Sequence, residues 1–112
     1  MPGTPDHPIT ITPHDGEVRI LREGREIVRT SGALSLKEAS YPAVLYVPRA
    51  DADMTAFTPN PKSTYCPYKG DASYFDLPGA PGAVWSYETP LADVAGIAGY
   101  LAFYPDKVTI EA

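Results

Sequence analysis

Proline fixes φ and has no amide proton, and glycine loosens the backbone, so both interrupt regular structure. This chain carries thirteen prolines and nine glycines in 112 residues. They cut it into short pieces, which favours strands joined by turns over a bundle of long helices. The expected fold is therefore mainly β, a single small domain of antiparallel strands and hairpins. A hydrophobic share of 44% is enough for one core at this length, and there is no room for a second domain.

The formal charge of −5 argues against nucleic acid as a partner, because tracking phosphates requires a basic patch that displaces counterions. The only local grouping of cations is Arg19, Arg22, Arg25 and Arg29. A row of this kind is more often a solvated face than a grip for an anion. One cysteine cannot close an intramolecular disulfide, so nothing implies an oxidising compartment and the expected location is the cytoplasm. Residues 1–16 read as an extended N-terminal arm, proline-rich at Pro2, Pro5, Pro8 and Pro13, with 17–112 as the domain. The arm has no apolar run, so neither a signal peptide nor a membrane partner is expected. His7 and His14 lie in or beside it and read as solvated loop residues.

Along the domain, 18–22 and 25–29 read as a hairpin reversing at Glu23-Gly24, with Val18, Ile20 and Ile27 turned to one face. A strand follows at 33–39 and another at 44–47, ended by Pro48. Residues 49–61 read as a long loop around Asp51-Ala52-Asp53. Two carboxylates so spaced suit magnesium, but a solvated turn is the commoner outcome and no metal is expected. Further strands are expected at 64–66, 72–75 and 83–87. One short helix is expected near 90–98, with Thr89 as its N-cap and Pro90 in its first turn. A last hairpin, 100–104 with 107–110, closes around Pro105-Asp106.

The chemistry of the chain concentrates in Ser63-Thr64-Tyr65-Cys66-Pro67-Tyr68-Lys69-Gly70, which holds the only cysteine. A thiol acts as its thiolate, and the nearby Lys69 ammonium would favour ionisation if the two side chains met. The alternative is a thiol packed in the core, since free cysteine is among the most buried residue types. Around this turn stand Tyr46, Tyr65, Tyr68, Tyr74, Trp85 and Tyr87, whose rings can line a pocket or fill a small β core. Lys69 or Arg49 would supply charge for an anionic ligand.

The strings Tyr46-Val47-Pro48-Arg49, Cys66-Pro67-Tyr68-Lys69-Gly70, Ala72-Ser73-Tyr74, Trp85-Ser86-Tyr87 and Ile97-Ala98-Gly99-Tyr100 occur in an order that resembles the mainly bacterial family known as domain of unknown function 427. The resemblance spans nearly everything after Glu17. It implies a mostly antiparallel fold similar to the β-tent class, here without zinc because the cysteine pairs of that class are missing. The nucleotidyltransferase-like label sometimes attached to the family is not supported: such enzymes set a Gly-Ser turn before an Asp-x-Asp site, and none precedes Asp51.

Three functions remain open from sequence. The first is a small-molecule binding domain with an aromatic and cationic cleft at the Cys-Pro-Tyr-Lys-Gly motif, its ligand lined by Tyr46, Arg49, Tyr65, Tyr68, Tyr74, Trp85 and Tyr87. The second is an enzyme with Cys66 as nucleophile or redox thiol, assisted by Lys69. The third is a structural or protein-interaction module. No cofactor is implied, and sequence leaves the oligomeric state open.

Overall fold

The computed structural model describes residues 3–4 and 7–112. Among the described residues eleven strands, all paired antiparallel, form three sheets. The first sheet runs in the order β1 (Gly3–Thr4), β2 (His7–Pro13), β5 (Leu34–Glu38), β6 (Val44–Tyr46). The second runs β10 (Leu101–Phe103), β9 (Ala80–Ser86), β8 (Gly70–Leu77), β7 (Thr58–Cys66). The third has β11 (Thr109–Glu111), β3 (Val18–Arg22) and β4 (Arg25–Thr30).

The β3–β4 hairpin reverses at Glu23 (φ 50°) and Gly24 (φ 81°), the doubly left-handed turn that matches strand twist. Val18, Ile20 and Ile27 are buried. Their arginine neighbours pair with acids: Arg19 with Glu26 and Glu111, Arg29 with Glu26 and Glu17, Arg25 with Asp53. The arginine row is thus neutralised within the fold.

Several expectations need correction. The loop expected over 49–61 gives way after two short 3-10 turns to strand β7, which begins at Thr58 and includes Pro59 and Pro61. Proline is tolerated because β7 is an edge strand, with no partner strand on its outer side among the described residues. The register shifts between Asn60 and Ser63, where Asn60 Oδ1 accepts from the Lys62 amide at 2.8 Å and Asn60 Nδ2 donates to Asp76 at 2.7 Å. The helix near 90–98 is 3-10 in type over Ala92–Ile97, Val94 departs from helical angles, and Leu91, not Thr89, occupies the N-cap position.

The last hairpin does not form. β10 pairs with β9 and β11 pairs with β3, in different sheets. Leu101, Ala102 and Phe103 are buried along the whole strand, so β10 is covered on both faces although it ends the order of its sheet, whereas Thr109–Glu111 alternates in exposure. Residues 7–13 of the expected arm are extended and form a strand, in which 9–13 pair with β5 and 7–8 with β1, and Ile9 is completely buried.

The first and second sheets meet where Val47 and Leu101 exchange both backbone hydrogen bonds at 2.9 Å. On one side of this seam lies a core of Val18, Ile20, Val84, Leu101, Phe57 and Phe103. On the other lies a second cluster around Ile9, Leu36, Tyr46, Tyr74 and Ile97. The second cluster is rich in tyrosine, and it opens to solvent as a cleft.

Gly70 closes the turn that faces this cleft. Its φ of +108° lies beyond the left-handed well that other residues tolerate, and an added Cβ would stand 3.5–3.7 Å from the backbone of Thr89, Pro90 and Leu91. Gly70→Ala is therefore expected to lower stability by about 1–3 kcal/mol through backbone strain. A urea midpoint unchanged from wild type would refute that strain.

Candidate functional site

The β7–β8 turn is pinned at both faces. The Lys69 amide donates to the Cys66 carbonyl at 3.2 Å, and the Lys69 carbonyl accepts from the Leu91 amide at 2.9 Å. Held this way, the Lys69 side chain turns inward, and its residue is only 9% exposed. Its ammonium pairs with the Glu38 carboxylate at the end of β5, and it lies 5.9 Å from the centre of the Tyr87 ring. The other Glu38 oxygen meets His7 Nε2 at 2.6 Å. His7 in turn stacks on Tyr68, with ring centres 3.9 Å apart and planes 9° from parallel.

Glu38 thus joins a histidine from β2 to a lysine from the β7–β8 turn. Burial alone would raise its pKa, but hydrogen bonds from Lys69 and His7 outweigh burial and hold the carboxyl below its ordinary value. Beyond Glu38 the chain reverses, with Ala39 left-handed (φ 48°) and the Tyr41 amide returning to the Glu38 carbonyl at 2.9 Å. That reversal carries Tyr41 and Pro42 to the cleft wall.

Two chambers share Glu38, Tyr41, Pro42, Val44 and Trp85 as common wall. The outer chamber, about 740 Å³, adds His7, Tyr65, Cys66, Tyr68 and Phe103. The inner chamber, about 260 Å³, adds Tyr46, Lys69, Tyr74, Tyr87 and Tyr104. Trp85 stands edge-on to Tyr46 (89°, 6.4 Å) and donates its indole N–H to the Tyr46 hydroxyl at 3.2 Å. Burial first of all pushes the Tyr46 phenol up to about 12, and the nearby Glu38 and Cys66 add to the rise. Tyr87 is raised as well, by burial and then by Tyr46, Cys66, Tyr74 and Glu38. Both are therefore O–H groups at neutral pH. The hydroxyl of Tyr74 meets Thr64 at 2.8 Å, and burial first, then the neighbouring Tyr74, raises the pKa of the Tyr104 phenol.

Of the residues singled out in the sequence, the fold brings Tyr46, Tyr65, Cys66, Tyr68, Lys69, Tyr74, Trp85 and Tyr87 to this cleft. Cys66 is half-buried on the outer wall. The Lys69 ammonium turns to Glu38 and does not serve as the thiol's partner in an ion pair. Arg49 lies elsewhere: it pairs with Glu88, reaches Ser86 at 3.4 Å and covers the Phe75 ring at 5.3 Å. Asp51 and Asp53 diverge, Asp51 accepting from Thr30 at 2.6 Å and Asp53 from Arg25 at 2.5 Å. Among the described residues no group of three or more His, Cys, Asp or Glu is gathered as a metal site.

Sequence reasoning missed Glu38, His7, Tyr41 and Tyr104. His7 was read as a solvated loop residue, and it is instead a ring stacked in the cleft wall and bonded to a carboxylate. A spacing of 31 residues separates Glu38 from both His7 and Lys69, so no local pattern could have joined them. Only strand register does so.

No helix among the described residues is long and apolar enough to cross a membrane. No curated protein matches this chain. Residues 10–112 match the family model described as Domain of unknown function (DUF427), so the motifs that wall the cleft lie within the matched region and the chain belongs to that family.

Proposed function

We propose that this protein is a small-molecule binding domain whose site is the tyrosine-walled cleft between the first two sheets. The observation that carries the reading is the pair of adjoining chambers, about 740 and 260 Å³, lined by aromatic rings with a few inward polar groups. Ligand sites typically span about 300–1,000 Å³ and have this composition. The ion pair of Lys69 and Glu38 at the wall keeps the turn and β5 in fixed relation, so the cavity is preformed. The free Cys66 on its wall suits a reducing compartment such as the cytoplasm.

Trp85 is the only tryptophan and it borders both chambers, so its emission reports on this site alone. A library of small aromatic metabolites screened by thermal shift is expected to contain compounds that both stabilise the protein and change Trp85 fluorescence. At a hundred times Kd such a compound adds about 2.7 kcal/mol, which for a domain this size raises Tm by about 10 °C. Cys66→Ala is expected to keep that response, because the thiol is wall and not anchor. Stabilisation that leaves Trp85 emission untouched, or none across the library, would remove the reading. Loss of a covalent adduct or of turnover in Cys66→Ala would move the assignment to the thiol enzyme.

A further inference from the structure

The nature of the ligand follows from which polar groups in the cleft are already satisfied. The two cations read from sequence as anchors for an anion each meet a carboxylate, Lys69 with Glu38 and Arg49 with Glu88. Both Glu38 oxygens are engaged, one by Lys69 and the other by His7, so no carboxylate waits for a cationic guest. A charged head group would enter this half-buried site without a counter-ion, and desolvation would oppose it.

What stands open is a pair of donors. Tyr87 is 6% exposed, borders the inner chamber, and its hydroxyl makes no hydrogen bond among the described residues. Tyr46 is 1% exposed, and its oxygen accepts from Trp85, which leaves its own proton for another acceptor. A ligand that fills the chamber without supplying an acceptor would strand these two donors, so one that supplies an acceptor here is favoured.

We propose that the cleft receives an uncharged aromatic compound bearing a carbonyl, such as an aryl carboxamide, with the carbonyl oxygen accepting from Tyr46 and Tyr87 in the inner chamber. The ring then packs on Trp85, and the outer chamber beside Tyr68 takes any larger substituent. This assignment rests on the small-molecule reading above and adds the head group to it.

Three probes with one ring test it: phenylacetamide, phenylacetate and phenethylamine, neutral, anionic and cationic. The readout is the single indole N–H cross-peak of Trp85 in a protein NMR titration, with Kd from its shift. Phenylacetamide is expected to move the peak and to bind about tenfold more tightly than either charged probe. Tyr46→Phe and Tyr87→Phe should each weaken the amide by about five- to tenfold, as loss of one neutral hydrogen bond does. Equal or tighter binding of a charged probe, an amide affinity indifferent to both substitutions, or a cross-peak unmoved by all three probes would each overturn the assignment. If other library compounds still change Trp85 emission, the head group alone is wrong. If none does, the binding reading falls with it.

Discussion

Lys69→Met is expected to destabilise the protein by about 2–3 kcal/mol at neutral pH, a loss of roughly 10–20 °C in Tm for a domain of this size. The substitution keeps the length of the side chain and removes its charge, leaving Glu38 with His7 as its one remaining bonded partner. Truncating one member of a fully buried pair costs about 3–5 kcal/mol. The lower figure applies because the two side chains retain 11% and 16% exposure and are partly screened.

Acid sharpens the test. In the native protein the Glu38 pKa is held below its ordinary value, so its contribution is complete above that value and disappears as pH falls through the folded pKa. Without Lys69, burial is the largest influence left and pushes the carboxyl up, so protonation relieves the variant. The stability gap between wild type and variant, full at pH 7, should therefore close below the carboxylate range. A gap that is constant from pH 7 to pH 3 would mean that the methionine acts through packing. Because Glu26, Asp53, Asp76 and Glu88 are also lowered, the comparison has to be the difference between the two proteins and not either curve alone. Glu38→Gln in the Lys69→Met background should recover part of the loss, since the uncompensated charge is then gone.

Phe103→Ala is the more damaging change, with an expected cost of about 3–5 kcal/mol. Phe103 is 3% exposed, sits at 6.0 Å from Phe57 at an angle of 71°, and also forms part of the outer chamber wall. Its removal leaves a void in the larger core and takes away the edge contact with Phe57, which itself is edge-on to Phe75 at 6.2 Å. Urea unfolding should show a lower midpoint with an unchanged slope. Phe103→Leu keeps most of the volume and should cost about 1 kcal/mol. Equal effects of the two substitutions would show that the site relaxes and that Phe103 is not a close-packed wall.

The two variants differ in what they say about the cleft. Lys69→Met alters the polar side of the wall and leaves the rings in place. Phe103→Ala opens the outer chamber toward the core, so a compound that fills it should lose affinity there while its contacts with Tyr46 and Tyr87 persist.

Local chemistry in the chain was enough to establish the β class, the β3–β4 hairpin and the motif that walls the cleft. Glu23-Gly24 demands a tight reversal, Pro and Gly exclude long helices, and the tyrosines cluster near one glycine turn. These are short-range effects, and a sequence records them directly. The strand through Pro59 and Pro61 was hidden because its tolerance for proline comes from being an edge, a property of the sheet and not of the segment. The separation of β10 from β11 was hidden for a similar reason: proximity favoured a hairpin, while burial on both faces drew Leu101–Phe103 inside. The tertiary structure alone decided the polar heart of the site. Register between β2 and β5, together with the inward turn of Lys69, gathers His7, Glu38 and Lys69 from distant parts of the chain, and long-range pairing of this kind leaves no periodic trace in the order of residues.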